Sequence, residues 1–354
     1  MNSAALIPAP DIISLDWPWF QFFLIATFVL HLLLMNLMLG SAIIAAVQRW
    51  KDRSAPTGID QPAARRLPFV IAFAVNLGVA PLLFLQVLYG HFMYTSSILM
   101  AVYWLSVIGL VILAYYGAYL YAYGPSETGK TLLVSGITLL LLTTGFLFTC
   151  NMTLMLTPEE WPAYFENGSG LFLPLTDPTL IPRYLHFVVS AVAVAGLFHA
   201  AMGKWKKTPD RADTALGRNG MKWFFYATLV QVPVGFWFFA ALPGHVMKEF
   251  MGGSPYATAL FATGIFAACL CLVFGFKRKT GASVVSLAAT VVLMVLIRDA
   301  LRRAYLMEYF TLDDLIVHQA WSPLLFFIAC LAFGAAMVFY MVKLAIQAVH
   351  KEDR

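Results

Sequence analysis

Nine stretches of the chain, 19–46, 68–91, 98–122, 131–152, 182–203, 222–242, 256–276, 282–303 and 323–345, are apolar almost throughout, and polar residues collect between them. At 1.5 Å rise per residue, each run of roughly 20 residues or more is long enough to cross the hydrocarbon core of a bilayer. The breaks carry turn chemistry: Pro125 and Gly129 flank the third loop, Pro243 and Gly244 end the sixth run, and Pro323 opens the ninth. The pattern predicts an all-α fold, a polytopic membrane helical bundle of nine transmembrane helices, with residues 1–354 forming a single membrane domain. The first run has no basic segment before it and no small-residue cleavage site after it, so it reads as a retained span and not a signal peptide.

Charge sets the expected orientation. Arg49, Lys51, Arg53, Arg65 and Arg66 fill the first loop, Lys204, Lys206, Lys207, Arg211 and Arg218 the fifth, and Lys277, Arg278 and Lys279 the seventh. The opposite loops are poor in Lys and Arg and include Glu159, Glu160, Glu166 and Asp177. The positive-inside rule then places the N-terminus outside and the C-terminus, with Lys343 and Lys351, in the cytoplasm. Trp17, Trp19, Trp161, Tyr184, Tyr309 and Trp321 gather on the outer side as an interfacial aromatic belt. With 61% hydrophobic and only 12% charged residues, the net charge of +5 reflects this topology and implies no nucleic-acid partner.

The four cysteines, Cys150, Cys269, Cys271 and Cys330, all lie in apolar runs and form no CxxC or CxxCH pair. They read as small buried hydrophobes; covalent c-type haem attachment is excluded, and a zinc or iron–sulfur site is not indicated. There is no glycine-rich phosphate loop and no HExxH. The second and third spans hold no carboxylate, which argues against a proton path through them.

The histidines are the informative residues. His91, His186, His245 and His318 fall where the spans meet the outer interface, and His31 lies deep in the first. Imidazole is rare at membrane depth and marks a ligand, a relay or a substrate path. His186 sits about 7 Å below the outer boundary and His31 roughly 18 Å. Six-coordinate haem needs two axial ligands at matching depth from different helices, which makes His91, His245 and His318 candidates opposite His186. His199 is about 20 Å deeper than His186 on the same helix, one turn from Lys204, and reads as an interfacial residue of the inner side. His31 reads as a ligand or relay, with a hydrogen-bonded core imidazole as the bland alternative.

The eighth span adds Arg298, Asp299, Arg302 and Arg303. Arg298 and Arg302 share a helix face and need anionic partners. Haem propionates suit them, because guanidinium binds carboxylates in a bidentate fork; Asp299 or Glu308 would serve equally in a structural ion pair.

The segments "FQFFLIATFVLHLLLMNLMLG", "LLLTTGFLFTCNMTLMLTPEEW", "YLHFVVSAVAVAGLF" and "GRNGMKWFFYATLVQVPVGF" resemble, in this order, subunit I of the cytochrome bd quinol oxidases. The resemblance implies nine spans, an outside N-terminus, residence in the bacterial inner membrane and haem near the outer surface. It implies that His186 is the axial ligand of a low-spin haem b, that His31 serves a high-spin pair, and that Arg302 matches an arginine of the family's eighth span. The chain departs from the family in three places. The outer loop after the sixth span is only about a dozen residues around His245, Ala262 stands near the family's axial methionine, and the second and third spans lack the family's glutamates. The preferred expectation is therefore a haem b membrane subunit that oxidises quinol and passes electrons to a periplasmic multihaem c-type cytochrome or a second membrane subunit. A divergent quinol:oxygen oxidoreductase and a haem-free anchor or carrier are the alternatives.

Overall fold

The computed structural model describes residues 3–51, 60–124, 129–166, 168–204 and 211–352. Arg53, Pro125, Lys206 and Lys207 lie outside the described residues. Among those described, nine helices are long and apolar enough to cross a membrane, as the apolar runs predict. They are α1 (Trp17–Lys51), α2 (Asp60–Leu99), α3 (Ala101–Tyr123), α4 (Lys130–Leu156), α5 (Leu180–Lys204), α6 (Arg211–Ala240), α8 (Pro255–Phe276), α9 (Thr280–Leu306) and α10 (Trp321–Glu352), with a short α7 (Gly244–Lys248) after α6. Large apolar side chains such as Phe22, Phe73, Ile108, Leu139 and Phe266 stand exposed on the bundle's flanks. Such surface is costly in water and at home in lipid, so the chain is a multi-pass membrane protein.

Alternation of the helices places Lys51, Arg66, Lys204 and Lys277–Lys279 at one end, here the basic end. The opposite end carries the larger core, in which Trp161, Tyr89, Phe92, Leu88 and Met93 are almost wholly enclosed. The N-terminal segment caps this end: Ile13 N–H donates to Ile316 O at 2.9 Å, and His318 N–H to Ile13 O at 2.8 Å. A 3₁₀ helix over Pro158–Glu166 and the irregular stretch after it complete the cap, where Phe172 N–H reaches Leu99 O at 3.2 Å.

The second apolar run extends further than its sequence indicates. Helix α2 continues past His91 to Leu99, bending at Tyr89 (φ −134°, ψ 27°), and α3 starts two residues later. His91 therefore sits inside a helix and not at its end. The extension is rich in hydroxyls, which return to the helix's own carbonyls: Thr95 Oγ1 to His91 O at 2.8 Å and Ser97 Oγ to Met93 O at 2.7 Å. Polar residues satisfied in this way are compatible with helix.

Glycines set the closest helix approaches. Among lipid-embedded helices association depends on packing, so small residues sit at the seams. A Cβ on Gly220 of α6 would stand 2.5 Å from Ala200 N and 2.6 Å from Gly196 O of α5, and one on Gly40 of α1 would collide with the Ala191 carbonyl. The α5–α6 contact is the most extensive in the bundle. Gly220→Leu should force these backbones apart and destabilise the protein by at least ~1–3 kcal/mol. Thermal denaturation in detergent reads this directly, and an unchanged midpoint would show that the seam relaxes freely.

Candidate functional site

Helix α1 carries His31 toward α2. His31 Nδ1 lies 3.0 Å from the Ala74 carbonyl oxygen. That oxygen only accepts, so in the neutral ring the proton is on Nδ1 and the lone pair on Nε2. Nε2 has no hydrogen-bond partner among the described residues. One turn along α2 is Gly78, and a Cβ there would stand 2.7 Å from His31 Cε1. Only glycine lets the imidazole lie this close to the helix while its Nδ1–H reaches Ala74.

Above His31, α9 presents its arginines. The Arg298 guanidinium lies over the Phe28 ring, 4.7 Å from its centroid, and has no hydrogen bond or carboxylate partner among the described residues. Arg302 behaves differently. It reaches Asp299 at 3.4 Å and lies over the Tyr89 ring at 5.0 Å, while Arg303 holds the other Asp299 oxygen at 3.1 Å. Both Arg302 and Asp299 are buried. Of the two partners the sequence leaves open for these arginines, Arg302 has its protein carboxylate and Arg298 has none.

His186 of α5 faces α6. Its ring lies 6.3 Å from that of Phe238, and a Cβ on Gly235 would stand 3.2 Å from its Cε1. The His186 carbonyl accepts from Gln231 Nε2 at 2.9 Å. Its Nδ1 is buried without a partner. One turn earlier, Arg183 donates to Thr153 Oγ1 at 2.8 Å and spans the Phe238 and Tyr305 rings, yet its Nη2 is buried and unpaired. Sequence reasoning missed Arg183. The signal was there, in "IPRYLHF": an arginine three residues before a candidate ligand shares its helix face.

The other predicted residues are placed elsewhere. His91 is 7% exposed and packed on Phe92 and Phe310 at 4.4 and 4.6 Å between ring centroids, with Nε2 unpartnered. His245 is exposed on α7, and His318 on the capping segment. Neither His91 nor His245 has a ring contact with His186. His199, expected at the interface, is buried at the basic end, with Nε2 3.2 Å from Ser41 Oγ. Among the described residues there is no group of three or more His, Cys, Asp or Glu able to hold a metal ion. Of the cysteines, Cys150 and Cys271 are buried, and Cys269 and Cys330 are exposed on the lipid-facing flank.

In the cap above Arg183, burial together with Asp177 and Glu159 pushes the Glu160 carboxyl up to about 7 from its ordinary 4.5. The folded state then holds a proton that the unfolded chain releases, so stability should fall as pH rises from 4.5 to about 7. Glu160→Gln should flatten that slope and raise the melting temperature above neutral pH. Parallel melts of both proteins across this range check the sign; a wild-type midpoint that rises with pH would refute it.

No protein-family profile, curated protein or solved structure matches this chain.

Proposed function

We propose that the protein is a haem b-binding membrane subunit of a respiratory electron-transfer complex, bd-like in plan, which oxidises membrane quinol and delivers electrons to a partner on the outer side. The observation that carries the reading is the His31–Ala74–Gly78 arrangement. Histidines that bind metals donate their other ring N–H to a backbone carbonyl or carboxylate, which fixes the tautomer and aims the lone pair. His31 is set up in this way at a depth where an idle imidazole is costly.

The charge balance points the same way. Arg183, Arg298 and Arg302 approach one another at the non-basic end; among the described residues Asp299, already shared with Arg303, is the carboxylate ion-paired with any of them, and Asp177 acts on Arg183 from further off. Arg183 and Arg298 are thus two cations in a low-dielectric setting in need of anions, and a haem carries two propionates. These residues fit the group: the unpartnered ring nitrogens, Nε2 of His31 and Nδ1 of His186, toward iron, Arg298 and Arg183 toward propionates. Haem would supply one-electron chemistry, with the chain setting its potential through axial ligands, burial and charge.

What the chain's own residues do follows from their placement. His31 is held by Ala74, Gln231 fixes the α5–α6 register beside His186, and Phe28 and Phe238 keep Arg298 and Arg183 extended along their rings. Gly78 and Gly235 are the positions where the helices stand close to the two imidazoles with no side chain between. A reduced-minus-oxidised spectrum with pyridine haemochrome quantification on the purified protein tests the reading. A Soret band at stoichiometric haem supports it, and a colourless, folded protein overturns it.

A further inference from the structure

At the basic end, α1, α2, α5 and α6 enclose a cavity of about 40 Å³ in which His199 is the polar group at depth. Its walls are Leu37, Leu67, Val70 and Leu216, with Phe198, which is 40% exposed, at the lipid-facing side. His199 itself is 5% exposed. Nε2 is engaged by Ser41 at 3.2 Å, and Nδ1 has no protein partner among the described residues. Arg66 stands at the rim, its guanidinium meeting the Met202 sulfur, a weak acceptor, among the described residues.

A cavity this small, apolar on its walls, with His199 and Ser41 at its polar end and Phe198 at its lipid side, admits a single carbonyl or hydroxyl oxygen whose flat ring lies outside against Phe198. A phospholipid headgroup would call for several cations at that depth, and among the described residues lining the cavity Arg66 is the one cation, at the rim. We infer that this cavity seats the oxygen-bearing edge of a quinone or quinol ring, with His199 Nδ1 as its hydrogen-bond partner, Ser41 holding the imidazole and Phe198 flanking the ring. By the charge bias, this is the cytoplasmic leaflet. Ser41 is ten residues from His31 on α1, roughly 15 Å along the axis, so the ring would lie one level inward of His31. That gives the depth of His31 a purpose: it stands between the cavity and the arginines of the other end. The inference rests on the quinol-oxidising reading and places its substrate.

Photolabelling the purified full-length protein with an azidoquinone, followed by peptide mapping, tests this. Label is expected within 37–41 and 198–202, and decylubiquinol should compete it away. His199→Phe should cut labelling tenfold or more, and Ser41→Ala by a smaller factor. Val70→Trp, which fills the cavity without touching a polar group, should do the same as His199→Phe and decides the matter if the latter does not fold. Label confined to other segments, full labelling in folded His199→Phe and Val70→Trp, or competition by phosphatidylglycerol and not by decylubiquinol would each overturn the site. Binding is read without reference to haem, so a missing Soret band would sink the electron-transfer reading while leaving this measurement legible.

Discussion

Gly78→Ala should strip haem from the His31 site while leaving the protein folded. Alanine is the better helix former by roughly 0.5–1 kcal/mol, so on secondary-structure grounds alone the change would stabilise α2. Its methyl, however, would stand 2.7 Å from His31 Cε1, closer than packed atoms approach, while Phe73, Val75, Leu77 and Val79 around the rest of the helix are exposed. The imidazole and α2 must then part, with loss of the bond to the Ala74 carbonyl and of the aim of Nε2. His31→Ala removes the ligand outright and sets the floor. Both variants should lower haem per polypeptide by the content of one site, tenfold or more in occupancy, with His186→Ala removing the other. Pyridine haemochrome against protein concentration measures this, and circular dichroism confirms the fold. If Gly78→Ala and His31→Ala retain the full Soret band, His31 is a core imidazole and no ligand.

The helices were legible in the sequence because a bilayer imposes length and apolarity on each span independently of its neighbours. The end of α2 was not, because Thr95, Ser96 and Ser97 read as loop residues until their hydroxyls are seen bonded to carbonyls three and four residues back. His31 was legible as a position and not as a mechanism. Its partner Ala74 is 43 residues away and contributes a carbonyl, which has no residue signature. His199 was placed at the inner interface on depth alone, whereas Ser41, 158 residues distant, draws it into the interior. The pairing of the arginines, by contrast, follows from helical spacing that the sequence already shows. Arg298 is adjacent to Asp299 in sequence and so lies about 100° round the helix from it, while Arg302 and Arg303 lie one turn on and meet it.

That difference gives Arg298 and Arg302 opposite expected effects in the haem-free protein. Removing Arg302 leaves Asp299, 8% exposed, with only the half-exposed Arg303, so Arg302→Gln should destabilise by roughly 1–3 kcal/mol. Arg298 has the Phe28 ring and no anion, and its desolvation goes largely uncompensated. Arg298→Gln should therefore leave the haem-free protein as stable as before or more so. In the haem-loaded protein the sign reverses. A cation beside the porphyrin favours the reduced, less positive centre, so its loss should lower the reduction potential by on the order of tens of millivolts. Loss of a charge-assisted bond to a propionate should weaken haem binding about tenfold to a hundredfold. Arg298→Lys, which keeps the charge but not the fork, should hold the potential close to wild type and recover only part of the affinity. Thermal melts with and without haem, together with a spectroelectrochemical titration, separate these effects. Should Arg298→Gln destabilise the haem-free protein as Arg302→Gln does, and leave the potential unmoved, Arg298 serves the packing around Phe28 and the anion it awaits is not a propionate.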